Sequence, residues 1–346
     1  MKPRVGCLGV GWIGRNRLEA LLRSGLVEVI GIVDSVEANA RAAAELASCT
    51  TVSSLDELLD LDPAGLVIAT PSALHAEQAE AALARGVAVF CQKPLARTAA
   101  ETSHVIELAS KTNTLIGVDL SYRFLEAATR ARALVRSGEL GSIYAADLVF
   151  HNAYGPDKPW FYDPALSGGG CVIDLGIHLV DLLFWTLGPP DPSIVTSQLF
   201  AGGKPLPAAP SAVEDFALAE LRFDNGLVAR LACSWNLSAG QDAVIEATFY
   251  GTRGAVRLSN VNGSFFDFRA DRFRGTTREC ICEPPDDWGG RAIVDWARGL
   301  AGGSGFDPSA RELVTVAKVL DAIYGRPPSS SSQSQNRRMQ ELVELA

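Results

Sequence analysis

Histidine is scarce in this chain, at four in 346 residues, and the seven cysteines are odd in number and scattered at 7, 49, 91, 171, 233, 280 and 282. So few ligands at no fixed spacing argue against a zinc site, and the cysteine set is not a disulfide framework. No metal is expected, and a reducing cytoplasm suits the free thiols. The chain also lacks a Lys/Arg cluster, and its net charge of -9 argues against nucleic acid or an anionic membrane as the main partner. No apolar run reaches the roughly 18–20 residues of a membrane span. The first residues form a short, glycine-rich apolar run after Lys2 and Arg4, with no small-residue cleavage site, so no secretory leader is expected. No internal repeat is visible. What remains is an ordinary globular composition, 47% hydrophobic and 21% charged, long enough for two domains with two cores.

The pattern of the first third predicts strands over Arg4–Val10, Glu28–Asp34, Gly65–Thr70, Val87–Gln92 and Leu115–Val118. Helices are predicted between them over Ile13–Ser24, Val36–Ala47 and Ser72–Arg85, with two more opened by the capping boxes Ser54–Glu57 and Thr98–Glu101. Strands apolar on both faces and separated by helices mean a parallel sheet covered on both sides. This defines an α/β domain over residues 1–119. After Asp119 a helix near Glu126–Arg136 leads to a strand over Ile143–His151, a loop, and a helix near Asp174. Strands then follow in series at Ile194–Phe200, Val213–Phe223, Leu227–Trp235, Val244–Tyr250, Ala255–Leu258 and Phe265–Arg269. Residues 120–346 are therefore expected to be an α+β domain with a largely antiparallel sheet, closed by helices near Trp288–Leu300 and Ala310–Tyr324. Ala201–Pro210 reads as an exposed loop, and residues 325–339 as a flexible segment.

Gly9-Val10-Gly11-Trp12-Ile13-Gly14 follows the first strand and opens a helix. Glycine is needed for the tight turn, for close approach of a pyrophosphate to the backbone, and for helix–strand packing. The phosphates then sit at the helix N-terminus. Asp34 ends the second strand 20 residues beyond Gly14. A carboxylate there accepts from the adenosine ribose hydroxyls and repels a 2′-phosphate, and the next residue, Ser35, supplies no cation. NAD is favoured over NADP.

Ser167-Gly168-Gly169-Gly170-Cys171 runs into Asp174 and His178, four residues apart. On a helix this spacing puts the pair on one face, about 5–6 Å apart at Cβ. A carboxylate beside an imidazole suits general acid/base work, and equally a solvated surface pair. Asn152, Tyr154, Trp160 and Tyr162 fall in or beside the preceding loop. They suit stacking on, and hydrogen bonding to, a polyhydroxylated ring, while simple loop packing fits the two bulky rings as well.

Four segments in this order, Gly9–Gly14, Ala69-Thr70-Pro71-Ser72-Ala73-Leu74-His75, Gln92-Lys93-Pro94 and Gly168–His178, resemble the Gfo/Idh/MocA oxidoreductases over nearly the whole chain. The resemblance implies a Rossmann domain followed by an α/β domain whose open sheet mediates homodimers or homotetramers. It places Thr70, Pro71, Leu74 and His75 in the loop lining the cofactor, although His75 also fits a helix-start residue with a local bond. Lys93 matches the Lys of a Glu-Lys-Pro motif whose Glu is here Gln92. Gln92 keeps a hydrogen-bonding group for the nicotinamide ribose and removes a negative charge beside Lys93. Asp174 and His178 match the catalytic Asp and His. Tyr122 and Arg123 fall where the family often has substrate- or cofactor-side groups, and Arg123 is either a salt-bridge residue or a binder of a substrate phosphate or carboxylate.

The implied activity is hydride transfer between a secondary alcohol of a sugar, sugar derivative or cyclitol and nicotinamide. In it His178 takes the hydroxyl proton, Asp174 orients the imidazole or binds a neighbouring hydroxyl, and Lys93 hydrogen-bonds the reacting oxygen. A glycoside hydrolase using transient oxidation and a non-catalytic NAD-binding sensor are the other readings of the same fold.

Overall fold

In the computed structural model, residues 1–207 and 212–326 are described. The predicted flexible segment therefore lies, from residue 327 on, outside the described residues. The chain first alternates β1 (Arg4–Leu8), α1 (Trp12–Ser24), β2 (Glu28–Val33), α2 (Glu37–Ala47), β3 (Thr50–Thr51), α3 (Leu55–Asp60), β4 (Gly65–Ile68), α4 (Ser72–Ala84), β5 (Ala88–Cys91), α5 (Ala99–Thr112) and β6 (Ile116–Val118). The six strands form one parallel sheet in the order β3-β2-β1-β4-β5-β6. Every residue of β4 and β5 is buried, as a parallel sheet covered on both faces requires. Both predicted caps form: Ser54 accepts from the Glu57 N–H and Thr98 from the Glu101 N–H. The two-residue β3 was not foreseen, being exposed and without an apolar pattern. Strand order reverses between β1 and β4, so their C-terminal ends open the crevice in which such sheets bind ligands.

The second half carries α6 (Glu126–Arg136), β7 (Ile143–Asn152), α7 (Pro164–Ser167), α8 (Ile177–Leu187), β8 (Ile194–Ala201), β9 (Lys204–Pro205), β10 (Phe216–Arg222), β11 (Val228–Ser234), β12 (Ala243–Gly251), β13 (Gly254–Asn260), β14 (Phe268–Arg274), β15 (Thr277–Cys282), α9 (Arg291–Ala301) and α10 (Glu312–Ile323). Its nine strands run in the order β15-β14-β13-β12-β7-β11-β10-β8-β9. The central β7 and β11 are parallel and all other neighbours antiparallel. Alternate residues such as Leu148, Phe150, Leu231 and Ile245 bury against α8, whose Val180 and Leu183 are fully covered.

Four expectations are corrected. β15 was not predicted, because Thr277–Cys282 is an edge strand with a mostly exposed, charged surface. The Ala201–Pro210 loop contains β9, which pairs with the end of β8, while residues 208–210 lie outside the described residues. α9 does not close the second domain. Its Ile293, Trp296 and Ala297 join Leu18, Leu21 and Phe90 in the core of the first. The Trp296 ring lies 5.8 Å from that of Phe90, and a Cβ on Gly65 would meet it at 2.7 Å, so the strand's glycine makes room for a helix 230 residues away in sequence. The boundary at 119/120 is thus crossed a second time. Finally, the stretch Pro164–Leu187 is apolar and long enough to cross a membrane by composition, but most of it is buried inside this fold.

Candidate active site

At the mouth of the crevice, α1 begins with Gly11 as its cap, no side chain bonds its free N–H groups, and its first turn holds no acid. A Cβ on Gly14 would meet the Gly9 carbonyl at 2.2 Å, whereas one on Gly11 would meet nothing within 4 Å. Gly14 is therefore a packing glycine, and Gly11 faces open space where an anionic group can reach the helix N-terminus. Asp34 accepts from the Val10 N–H at 2.7 Å and the Val36 N–H at 2.8 Å, which ties the end of β2 to the glycine loop. Trp12 and Ser35 are exposed and Ile13 half-buried around this mouth. An uncapped, acid-free helix start with open backbone approach fits a dinucleotide pyrophosphate.

The loop after β4 forms the facing wall. Thr70 Oγ1 donates to Gln78 at 2.6 Å, Pro71 caps α4, and Leu74 is exposed. His75 is buried, with its ring nitrogens 2.7 Å from the Pro94 carbonyl and 2.7 Å from the Thr70 carbonyl. It reaches a ligand only through the two loops it clamps, which corrects its placement among direct cofactor contacts. Burial lowers its pKa, and the two carbonyls pull the other way.

Lys93 leaves the end of β5 and crosses to the second domain. Its Nζ donates to Asp174 Oδ1 at 2.6 Å and to the Asp174 carbonyl at 2.7 Å. The other carboxylate oxygen accepts from Trp235 Nε1 at 3.0 Å. Asp174 thus holds Lys93, and no hydrogen bond joins it to His178 among the described residues. The expected α-helix through the pair is instead a π-helix over Val172–Gly176, closed by the Ile177 N–H on the carbonyl of Val172, and the regular helix starts at Ile177. That wider turn takes Asp174 out of line with His178. His178 is buried under the Tyr122 ring, 4.8 Å between centroids, and its Nδ1 is sealed from water without a partner among the described residues. Burial first, and the Lys93 charge second, hold its pKa well below the ordinary histidine value, so the ring is neutral at pH 7. Leaving a buried polar atom unpaired costs about 1–3 kcal/mol.

The glycine run is anchored by a residue that sequence reasoning missed. Glu214 is fully buried and accepts from the N–H groups of Gly170 at 3.0 Å and Val172 at 2.9 Å, and from Tyr324 Oη at 2.8 Å. A Cβ on Gly170 would lie 1.9 Å from the Glu214 carbonyl oxygen, so only glycine lets the two backbones meet. Burial raises the Glu214 pKa against the lowering effect of these donors. Glu214→Ala is expected to strand three buried donors and to cost on the order of 3 kcal/mol, read as a lowered denaturant midpoint together with reduced turnover. An unchanged midpoint would show that the anchor is dispensable.

Of the substrate-side candidates, Arg123 is a salt-bridge residue. It donates to buried Asp181 through Nε at 2.8 Å and through Nη2, and to Glu312 at 3.4 Å. Tyr122 is buried in an aromatic cluster with His178, Phe150, Phe268 and Trp288. Asn152 Oδ1 is buried and unpartnered among the described residues. Tyr154 and Tyr162 are exposed, Trp160 stacks on Phe161 at 3.8 Å, and Tyr162 packs edge-on against Trp235 at 5.7 Å. The loop therefore joins the Lys93–Asp174 pair through Trp235, whose place at the end of a strand gave no local signal.

Across a glycine-built anion site stand a carboxylate-held lysine and a buried neutral histidine, which together define a dinucleotide-dependent oxidoreductase working on alcohols. Among such enzymes the chain belongs to the Gfo/Idh/MocA family: residues 3–120 match the oxidoreductase family NAD-binding Rossmann fold, and residues 128–257 match the GFO/IDH/MocA C-terminal domain. It is 28% identical to 1,5-anhydro-D-fructose reductase of Ensifer adhaerens over 75% of this chain and 76% of that protein. It is 30% identical to a putative UDP-kanosamine synthase oxidoreductase subunit of Amycolatopsis mediterranei over 71% and 72% of the two. The structure of a levoglucosan dehydrogenase with NADH and levoglucosan superposes with a TM-score of 0.78 at 22% identity, covering 93% of this chain and 96% of that one. The protein is an NAD(P)-binding sugar oxidoreductase acting on CH–OH groups.

Proposed function

We propose that this enzyme moves a hydride between a secondary alcohol of an uncharged sugar or cyclitol and NAD. The observation that carries the reading is the lock of Lys93 by Asp174 and Trp235 beside a neutral His178. Bound nicotinamide supplies the hydride chemistry, and the protein supplies position and electrostatics. Two of the three Lys93 N–H donors are taken by Asp174, which leaves one to hydrogen-bond the reacting oxygen and stabilise its developing negative charge. The neutral imidazole of His178 accepts the hydroxyl proton on oxidation and returns it on reduction. Asp174 is a positioning residue for Lys93 rather than for the imidazole.

An uncharged substrate is favoured because the guanidinium of Arg123 is consumed by Asp181 and Glu312. The exposed rings of Tyr154 and Tyr162 offer apolar faces for a sugar ring. NAD is favoured over NADP by the carboxylate of Asp34 and by the absence of a cation at Ser35. Unpaired thiols support a cytoplasmic location. Exposed Tyr144 and Leu218, on the sheet face away from the helices, support a homodimer or homotetramer.

The test is a screen of free sugars, glycosides and inositols against sugar phosphates, with NAD and NADP in parallel, following formation of reduced nicotinamide. Turnover is expected with a neutral polyol and with a higher kcat/KM for NAD. A strict requirement for a phosphorylated sugar, or a preference for NADP, would refute the corresponding half of the proposal.

A further inference from the structure

Gln92 stands where the family resemblance has Glu, and the structure shows what accompanies the change. Its side chain is buried at the end of β5, immediately before Lys93, and its Nε2 donates to Asp119 Oδ2. Asp119 follows β6, and its backbone N–H donates to the Cys91 carbonyl at 2.9 Å, so two adjacent strand ends set residues 92 and 119 side by side. The same Oδ2 accepts from Arg17 Nε of α1, and Oδ1 accepts from Ser121 Oγ. Arg17 also donates to the Gly289 carbonyl and, at 3.3 Å, to Ser121. All four side chains are buried. The charge bonded to this cluster is Arg17 from α1, while Lys93, next along the chain, carries its charge to Asp174. The Cys91 thiol from β5 stays neutral, its pKa raised by burial and by Asp119.

An amide has fixed polarity. With Nε2 turned to Asp119, Oε1 is presented away from it and takes no donor among the described residues. We propose that Asp119 is a positioning residue that locks the Gln92 amide so that its carbonyl oxygen, not its NH2, meets a hydroxyl of the bound dinucleotide beside Lys93. This rests on the reading of the crevice as a dinucleotide site. Positions 92 and 119 then form a coupled pair with one carboxylate between them. A second carboxylate, at 92, would face that same oxygen, with the Arg17 guanidinium as the cation already bonded to it.

Two variants test the coupling. In Q92E the facing carboxylates share one proton, which the folded protein keeps and the unfolded chain releases near pH 4. A group whose folded pKa is raised loses stability as pH rises from the unfolded to the folded value. The apoprotein Tm of Q92E should therefore match that of the parent near pH 4–5 and fall below it by several degrees towards pH 8. Over the same range its Kd for NADH should acquire a pH dependence that the parent lacks. The swap Q92E/D119N restores one carboxylate and one amide. It should remove the pH-dependent Tm difference and bring Kd back towards the parent's value. A Q92E Tm curve parallel to the parent's, or a double variant no better than Q92E in both measurements, overturns the proposal. The Tm comparison needs no ligand, so it still decides on the coupling if the parent binds no NADH, a result that would instead refute the dinucleotide reading.

Discussion

Lys93→Ala is expected to lower kcat by about 10³-fold while NAD affinity stays within a few-fold of the parent's, the size of effect seen when one donor to a developing oxyanion is removed. Nothing else among the described residues stands ready to replace Nζ. Asp174 would keep its bond from Trp235 Nε1, so the π-helix retains one of its ties. The acid limb of the rate profile should also move to higher pH, because the Lys93 charge is the second cause of the lowered His178 pKa. Steady-state kinetics with a Tm measurement separate this from misfolding. A well-folded variant with kcat within tenfold of the parent's would remove Lys93 from the chemistry.

His178→Asn should cut kcat by about 10²–10⁴-fold, the usual contribution of a positioned general base. In the parent, burial and Lys93 hold the ring neutral below the ordinary pKa. Sugar oxidation should therefore persist to pH values below about 6.5 before it falls, and the variant should lose that limb. The stability consequence has a definite sign. With a folded pKa below the unfolded one, the unfolded chain binds a proton first, so stability is lost as pH drops from about 6.5 through the folded value. The Asn variant should lack this component, and its Tm should depend less on pH over that window. A parent acid limb at or above the ordinary histidine value, unchanged in the variant, would assign the base to another group.

Much of the first domain was legible because its signals are local. Apolar runs such as Gly65–Ile68, alternating with helical segments, read as strands buried on both faces, the capping boxes at Ser54 and Thr98 bond within one helical turn, and Gly14 packs on the Gly9 carbonyl five residues before it. The second domain was read less well. Edge strand β15 has no buried face to impose a pattern, and α9 looked like an ordinary amphipathic helix without saying which domain its apolar face would meet.

In the site, spacing singled out Asp174 and His178 and the family resemblance added Lys93, but neither gave their relations. Spacing on an assumed α-helix paired Asp174 with His178. The structure pairs it with Lys93, 81 residues away, from a π turn over Val172–Gly176 whose first N–H groups bond to Glu214 and Tyr324. Arg123 carried the same ambiguity: a guanidinium near a site reads as a ligand-binding group until Asp181 is found bonded to it. By itself the sequence determined the parallel sheet and the anion-binding turn, since each depends on interactions within a strand, a turn or a helix. Only the tertiary structure decided which carboxylate holds which cation, and that Gln92 answers to Asp119. Those choices are made by strand ends and helix turns brought together from remote parts of the chain, where no local periodicity records them.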